Sequence, residues 1–590
     1  MVLDSGWRER VRSRWENRAV TSTYDVLLGR LRSAFDAIAK GADPVLRPSD
    51  RSDYQANGVM ALAKLRGMNP RDTAALVLSH LDLEGVADVE VAGPGFLNLT
   101  LTTEFLNEQL RTLLDDERLG VGTLSGRIAV IDYSAPNVAK EMHVGHLRST
   151  VIGDALARMY RFRGYQVISR NHVGDWGTPF GMLIEHLLDL GEDEAIASLS
   201  IGDLDSFYRG ARAKFDSDDA FKERSRARVV ALQSGDAETR RLWQILVDES
   251  VAYFADVYAA LDVTLTPADV VGESYYNDML EDVVSDLDAA GLLVESGGAL
   301  CVFPEGFTNR DGEPLPLIVQ KSDEGFGYAA TDLAAVRDRV SNLHADEILY
   351  VVGAPQGQHF EMVFAVARAA GWLPASVRCE HVAFGNVLGA DRKMLKTRSG
   401  ETVKLVGLLD EAIQRADDAL ALRSNNLSQD ERRHLARQIA RAAVKYADLS
   451  TDRQHDYVFD LDRMIAFEGD TGPYLQYAHA RLRSIFRRLD VPWDPNTAIF
   501  ALHHDAERHL ALGLLAFPEA VDAALATLQP HRLSGYLFDL AQRFTTFYEA
   551  CPVLSATEPT RTERLALCEL TARTLSLGLS LLGIEAPDQM

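Results

Sequence analysis

Two histidines three apart around a glycine occupy residues 143–146, in the stretch PNVAKEMHVGHLRST, with Lys140 just upstream and Arg148 just downstream. Gly145 permits close backbone approach to a ligand, and the imidazoles of His143 and His146 add hydrogen-bond donors that can bridge phosphate oxygens. If the stretch opens a helix, the N–H groups of its first turn attract an anion as well. With the charge of Lys140 nearby, the set suits a triphosphate that gains negative charge at its α-phosphorus during nucleotidyl transfer. A metal site is the weaker reading. Metal-binding histidines on helices usually stand four apart, and no third Cys, His or carboxylate has matching spacing. A helix cap without any ligand is the plain alternative for so short a motif.

A second cationic stretch, FGNVLGADRKMLKTRSGETVKL (384–405), is punctuated by glycines and carries Lys393, Lys396 and Arg398 within six positions. A loop of this kind could close over a leaving pyrophosphate. Taken alone, a run like this is more commonly a solvated basic loop.

The elements that must position these residues are legible in outline. IAVIDY is a short apolar run suited to a buried parallel strand. Leu147, Val151, Ala155, Met159 and Phe162 then recur at helical spacing, so a helix is expected over 146–162, stopping near Gly164. YQVISRN is another strand, which makes a β-α-β unit of the doubly wound kind. In such a sheet, ligands sit beyond the carboxyl ends of strands, and HVGH falls there. Upstream, TSTYDVLLGRLRSAFDAI places Val26, Leu27, Leu31, Phe35 and Ile38 at helical spacing, and VEVAGPGFLNLTL reads as two strands around a Gly-Pro-Gly turn. Residues 190–290 are acidic and strongly helical and read as an insertion. Strand–helix alternation returns with DEILYVVG and QHFEMVFAVARAAG; from about 405 the chain reads as helix after helix.

Composition narrows the class. The chain has 590 residues, 47% hydrophobic and 25% charged, enough for three to five domains of a soluble protein. No apolar run is read as reaching the roughly 18–20 residues that span a bilayer. The charged start and the scattered Cys301, Cys379, Cys551 and Cys568, without a CxxC pair, lead us to expect a cytoplasmic protein with neither disulfides nor structural zinc. A net charge of −25 repels nucleic acid overall, so any such contact must be local and basic.

HVGH at the first β-α turn, followed by a lysine-rich loop, resembles the paired signatures of class I aminoacyl-tRNA synthetases. SAPNVAKEMHVGHLRSTVIGDALAR, NHVGDWGTPFGMLI, FGNVLG with KTRSGETVKL, and GPYLQYAHARLRSI are similar to arginyl-tRNA synthetases in particular. YQANGVMALAKLRG, EVAGPGFLNLTL and the ending LLGIEAPDQM extend that resemblance along nearly the whole chain. It implies a multidomain architecture. An α+β N-terminal domain (1–122) would contact the tRNA elbow. A Rossmann-like doubly wound α/β catalytic domain (123–380) would hold the helical insertion at about 190–290. A lysine-loop and stem-contact region (381–460) would precede an all-α anticodon-binding bundle (461–590). The implied reaction joins L-arginine to its tRNA through an arginyl-adenylate, with ATP and its accompanying Mg2+ and no resident metal. The implied state is a monomer with no membrane partner.

Site residues follow from the matching motif positions. His143, Gly145 and His146 would bind ATP, with Lys140, Lys393 and Lys396 against its phosphates. One departure is visible: the family loop often reads Lys-Met-Ser-Lys-Ser, whereas here it is Lys393-Met394-Leu395-Lys396-Thr397. No general base is needed, because the arginine carboxylate is already ionised. The positions matching the arginine pocket are Asp132, Asn137, Tyr328, Asp332 and Gln356. A guanidinium is a planar fork of donors that asks for carboxylates, and Tyr328 and Asp332, four apart, would share a helix face. By the family pattern these two read the guanidinium, Asp332 accepting two donors, while Asp132 and Asn137 read the α-amino end. A helix cap or surface charge is the plain alternative for each aspartate. In 474–489, Leu475, Ala478, Leu482, Ile485 and Leu489 form an apolar stripe, and Tyr474, Tyr477, Arg481 and Arg488 a second one. Aromatics with arginines suit unstacked anticodon bases and phosphates; core tyrosines beside solvated arginines are the alternative.

Two other functions fit parts of this pattern. A small-molecule adenylyltransferase shares the His-x-Gly-His turn but is usually one short α/β domain, without a helical third. A catalytically silent tRNA-binding relative would not need both histidines, the lysine loop and the pocket positions together.

Overall fold

The computed structural model describes residues 22–49, 51–200, 204–323, 325–395, 403–423 and 427–590, and the chain divides into two units. The first joins the residues up to Leu124 with Tyr474–Ser580 and Glu585–Met590. Its N-terminal part is an antiparallel sheet of β1 (Leu46–Pro48), β2 (Tyr54–Ala56), β3 (Ala87–Ala92) and β4 (Phe96–Leu101), ordered β1-β2-β4-β3. The Gly-Pro-Gly turn forms because Gly93 and Gly95 take φ of 55° and 141°, which lets Ala92 pair with Phe96. The helix Thr23–Ile38 is capped by Ser22 and buries Leu27, Leu31 and Phe35. Its C-terminal part is helical, including Asp505–Leu515, Phe517–Thr527 and His531–Ala550. The two sequence-distant parts are bonded to one another. Arg508 pairs with Asp53, and Arg573 Nη1 donates to the Leu114 carbonyl at 3.0 Å.

One stretch here departs from the hydropathy expectation. Asp505–Thr527 is 23 residues long with mean hydropathy 1.5, enough by length and composition to cross a bilayer. It is two helices meeting at Ala516, ahead of Pro518, and more than half of its most apolar window is buried against the rest of the chain. The core helices of a soluble protein pass the same test.

The second unit, Ser125–Pro473 with Leu581–Ile584, is built on a parallel sheet. Its strands are β5 (Ile128–Asp132), β6 (Gln166–Val173), β7 (Val270–Gly272), β11 (Glu347–Tyr350) and β12 (Arg378–His381), in the order β12-β11-β5-β6-β7. The intervening β8 (Val294–Ser296), β9 (Ala299–Val302) and β10 (Leu317–Gln320) make a separate antiparallel sheet. The order reverses between β5 and β11, which is the switch point where a crevice opens at the carboxyl ends. β5 lies between two parallel neighbours, Ala129 opposite Val167 and Glu347, and its apolar run is buried accordingly. Helices Pro179–Leu190 through Ala237–Leu261 make up the connection between β6 and β7. β7 itself falls inside the stretch read as insertion, because three residues carry no periodicity to betray a strand.

The helix that follows β5 runs Val144–Phe162 and packs very close to it. A Cβ on Gly153 would stand 2.3 Å from the Tyr133 side chain. Arg148 on this helix is buried against Asp448 of the helix Gln429–Leu449, at 3.2 Å, with its Nη1 donating to the His455 carbonyl. Beyond Lys404 the regular elements among the described residues of this unit are helices, apart from β14 (Tyr457–Val458), which pairs in parallel with β13 (Val387–Leu388).

Candidate active site

The carboxyl ends of the parallel strands deliver polar residues to one edge of the sheet. Asp132 ends β5, Asp175 follows β6, Glu273 follows β7, and Gln356 and His359 follow β11. The connection leaving β5 is strained. Ser134, Ala135 and Ala139 have φ of 76°, 49° and 58°, conformations costing about 1–3 kcal/mol each. It persists because its N–H groups are held from outside: Ser134 by Ser149 Oγ (2.8 Å), Ala135 by Asn171 Oδ1 (3.0 Å) and Ala139 by Ser250 Oγ (2.9 Å).

The two histidines cap the helix reciprocally. Nδ1 of His143 accepts from the Gly145 N–H at 3.0 Å, and Nδ1 of His146 accepts from the His143 N–H at 3.1 Å. The rings lie 4.1 Å apart. A Cβ on Gly145 would come within 2.7 Å of the His143 ring, so a side chain at 145 would displace the ring from its capping position. Burial, then the neighbouring His143, lowers the His146 pKa to about 3; burial likewise lowers that of His143. Both imidazoles are therefore neutral at pH 7. With Nδ1 accepting, the proton sits on Nε2, so each ring is a donor on the side away from the cap. Capping and anion binding are not rivals here: one nitrogen does each.

The two basic signatures meet through their backbones. The Val144 N–H donates to the Val403 carbonyl, the Leu405 N–H donates to the Met142 carbonyl, both at 3.0 Å, and Lys404 pairs with buried Glu141 at 2.7 Å. Lys140 rests over the Tyr208 ring, 4.5 Å from its centre. Lys393 is exposed on a tight turn where Gly389 N–H donates to its carbonyl at 2.8 Å. Lys396 and Arg398 lie outside the described residues.

The arginine-pocket positions fall into two groups. Tyr328, 76% exposed, opens the helix Tyr328–Ser341, with Asp332 one turn on; Gln356 ends the short turn Ala354–Gln356 and is exposed. His359 Nε2 donates to Asp332 Oδ2 at 2.6 Å, so any fork of donors must share this carboxylate with an imidazole. Glu273 lies in the same field: burial, then Asp175 and Asp332, push its pKa up to about 7. Asp175 is held by the Ser274 N–H and hydroxyl at 2.9 and 2.6 Å. Asp132 is different. It is buried and bonded at 2.5 Å to Arg339, itself fully buried over the Tyr350 ring, with His172 Nδ1 at 3.8 Å. One of its oxygens is thus engaged internally. Asn137 is exposed, and its Oδ1 occupies the place a Gly174 side chain would take.

Sequence reasoning missed Glu273, His359 and Lys404. Lys404 stood within the basic stretch, and His359 follows Gln356 by three; Glu273 follows a three-residue strand that no pattern marks. Among the described residues no three His, Cys, Asp or Glu side chains gather as metal ligands.

In the other unit, the helix that runs to Arg487 buries Leu475, Ala478, Leu482 and Ile485. Tyr474 packs edge-on to Phe538, Tyr477 is 44% exposed, and Arg481 stacks 4.4 Å from the Tyr548 ring centre. Arg488 lies just past the helix end, exposed.

Comparison with known proteins matches this architecture segment by segment. The family model for the catalytic domain of class I tRNA synthetases of the R type covers residues 109–461. The DALR anticodon binding domain covers 475–590, and the arginyl tRNA synthetase N-terminal domain covers 27–101. A curated arginine–tRNA ligase of Thermobifida fusca is 55% identical, over 95% of this chain and 97% of the relative. One of Streptomyces coelicolor is 50% identical, over 97% and 100%. Among solved structures, the arginyl-tRNA synthetase of Plasmodium falciparum superposes with TM-score 0.83 at 28% identity, over 97% of this chain and all of that one. That of Thermus thermophilus gives 0.79 at 27%, over 96% and 99%. With family models spanning the sheet, the insertion and both flanking domains, this chain belongs to the arginyl-tRNA synthetases of class I.

Proposed function

We propose that the chain activates L-arginine with ATP and transfers it to its cognate tRNA. The observation that supports this most is the pairing of opposite chemistries at the carboxyl edge of one sheet. A helix N-terminus with two neutral imidazole donors suits a triphosphate, and the carboxylates of Asp332 and Glu273 suit a guanidinium. In the first step an oxygen of the arginine carboxylate bonds to the α-phosphorus while the bond to the β-phosphate oxygen breaks, releasing pyrophosphate. In the second, a terminal ribose hydroxyl of the tRNA attacks the arginyl carbonyl and AMP leaves. The protein supplies position and charge compensation: His143 and His146 through Nε2–H, Gly145 by backbone approach, and Lys140, Lys393 and Lys396 as cations. Tyr328, Asp332, Gln356 and Glu273 would hold the amino acid, with Asn137 and Asp132 toward its α-amino end. Mg2+ is read as arriving with the triphosphate, as the resemblance implies.

Tyr474, Tyr477, Arg481 and Arg488 are read as anticodon contacts, and the N-terminal sheet domain as the elbow contact. A monomeric, cytoplasmic state belongs to this reading; the four cysteines, buried and unbonded, suit a reducing compartment. Sedimentation at working concentration checks the monomer.

One assay tests the whole reading: exchange of labelled pyrophosphate into ATP, with arginine and tRNA each omitted in turn. Exchange that needs both supports it, and exchange near background without tRNA is expected from the family. Exchange with another amino acid, or none with any, overturns it.

A further inference from the structure

Asp332 is the carboxylate assigned to the guanidinium, yet nothing on its own helix orients it. The terminal torsion of an aspartate is broad and roughly two-fold, so the carboxylate plane is soft unless a partner sets it. The partner is His359, on the helix Gly357–Ala369 that follows β11. Its Nε2–H reaches Oδ2 at 2.6 Å, short for an N–H···O contact and of the charge-assisted kind. Both side chains are mostly covered, at 15% and 29% exposure, so the pair is partly shielded from competing water. It also bridges the helices Tyr328–Ser341 and Gly357–Ala369, which carry the pocket positions Tyr328 and Gln356, one at the head of each.

A second observation bears on what that orientation does. Glu273 and Asp175 share the electrostatic field of Asp332, so the pocket attracts any cation. Net charge alone does not separate a guanidinium from an ammonium; only the planar match between a fork of N–H donors and a fixed carboxylate does. We infer that His359 is a positioning residue for amino-acid specificity, fixing the plane of the Asp332 carboxylate so that arginine is read by shape as well as by charge. The inference rests on the proposed role of Asp332.

The test compares His359→Ala, His359→Gln and His359→Asn by steady-state aminoacylation with arginine, ATP and tRNA varied in turn. Glutamine places an amide N–H close to where Nε2 stands, whereas asparagine reaches only the Nδ1 position. Removing a hydrogen bond to a charged group predicts a rise of about 10–100-fold in KM for arginine in the alanine and asparagine variants. KM for ATP and tRNA should stay within twofold, glutamine should recover most of the loss, and lysine and citrulline should compete better with arginine than in the parent. An arginine KM within twofold of the parent in the alanine variant overturns the inference. So does equal loss in the glutamine and alanine variants, or loss spread over all three substrates with a lowered melting temperature, which is what a merely structural histidine gives. A parent enzyme that does not charge arginine would instead defeat the proposed function.

Discussion

At the scale of single residues, the histidine pair separates two roles that sequence could not. Asparagine at 146 can still accept the His143 N–H at its first turn but cannot reach the Nε2 position. His146→Asn should therefore lower kcat about 10²–10³-fold with little change in melting temperature, while His146→Ala loses both. Because the His146 pKa is lowered to about 3, kcat/KM for ATP should show no titration from this ring between pH 5 and 8. Glu273 behaves oppositely. Its pKa, raised to about 7 in the folded state, exceeds the ordinary value near 4.3, so the folded chain holds a proton that the unfolded chain releases. Stability should thus fall as pH rises through that window, from about 4.3 to about 7, and Glu273→Gln should flatten the melting-temperature profile there. A bound guanidinium favours the ionised form, so arginine should bind more tightly as pH rises from 6 to 8. It should also release a proton on binding, read by calorimetry in buffers of different ionisation heat.

At the scale of elements, the helix Val144–Phe162 has its start set by the histidine cap and its depth set by Gly153. A methyl group there meets Tyr133 at 2.3 Å, a fixed ring rather than a movable chain end. Gly153→Ala should destabilise the second unit by about 1–3 kcal/mol and, by lifting the helix off β5, reduce ATP-dependent exchange as well. Thermal unfolding with and without ATP distinguishes this from a purely local effect: a lifted helix loses the ATP-induced gain in melting temperature.

At the scale of the molecule, buried charge ties distant segments together. Arg148 and Asp448 are almost wholly buried, 300 positions apart, and burial holds the Asp448 pKa above the usual carboxylate range even beside the guanidinium. Asp448→Ala leaves Arg148 uncompensated and should cost about 3–5 kcal/mol in denaturant unfolding. The double change Arg148→Met with Asp448→Leu should recover most of it, because apolar residues of similar size carry no desolvation penalty. A double variant as unstable as the single would mean the loss lies in packing rather than charge.

What sequence alone determined was what neighbours within a few positions decide. The apolar run at β5, the three-to-four spacing after Leu147 and the Gly-Pro-Gly turn at 93–95 each express local backbone preference, and HVGH is legible because its residues bond one another. The resemblance supplied the order of domains. Tertiary structure alone decided which carboxylates are spoken for. Asp332 and Asp132 look alike as letters, but Asp132 meets Arg339 from 207 positions away, while Asp332 meets His359. Glu141 finds Lys404 across 263 positions, and Glu273 gains its proton from burial that no motif announces. Ion pairing and desolvation are set by segments that meet only after the sheet has formed, so a one-dimensional pattern holds no trace of them.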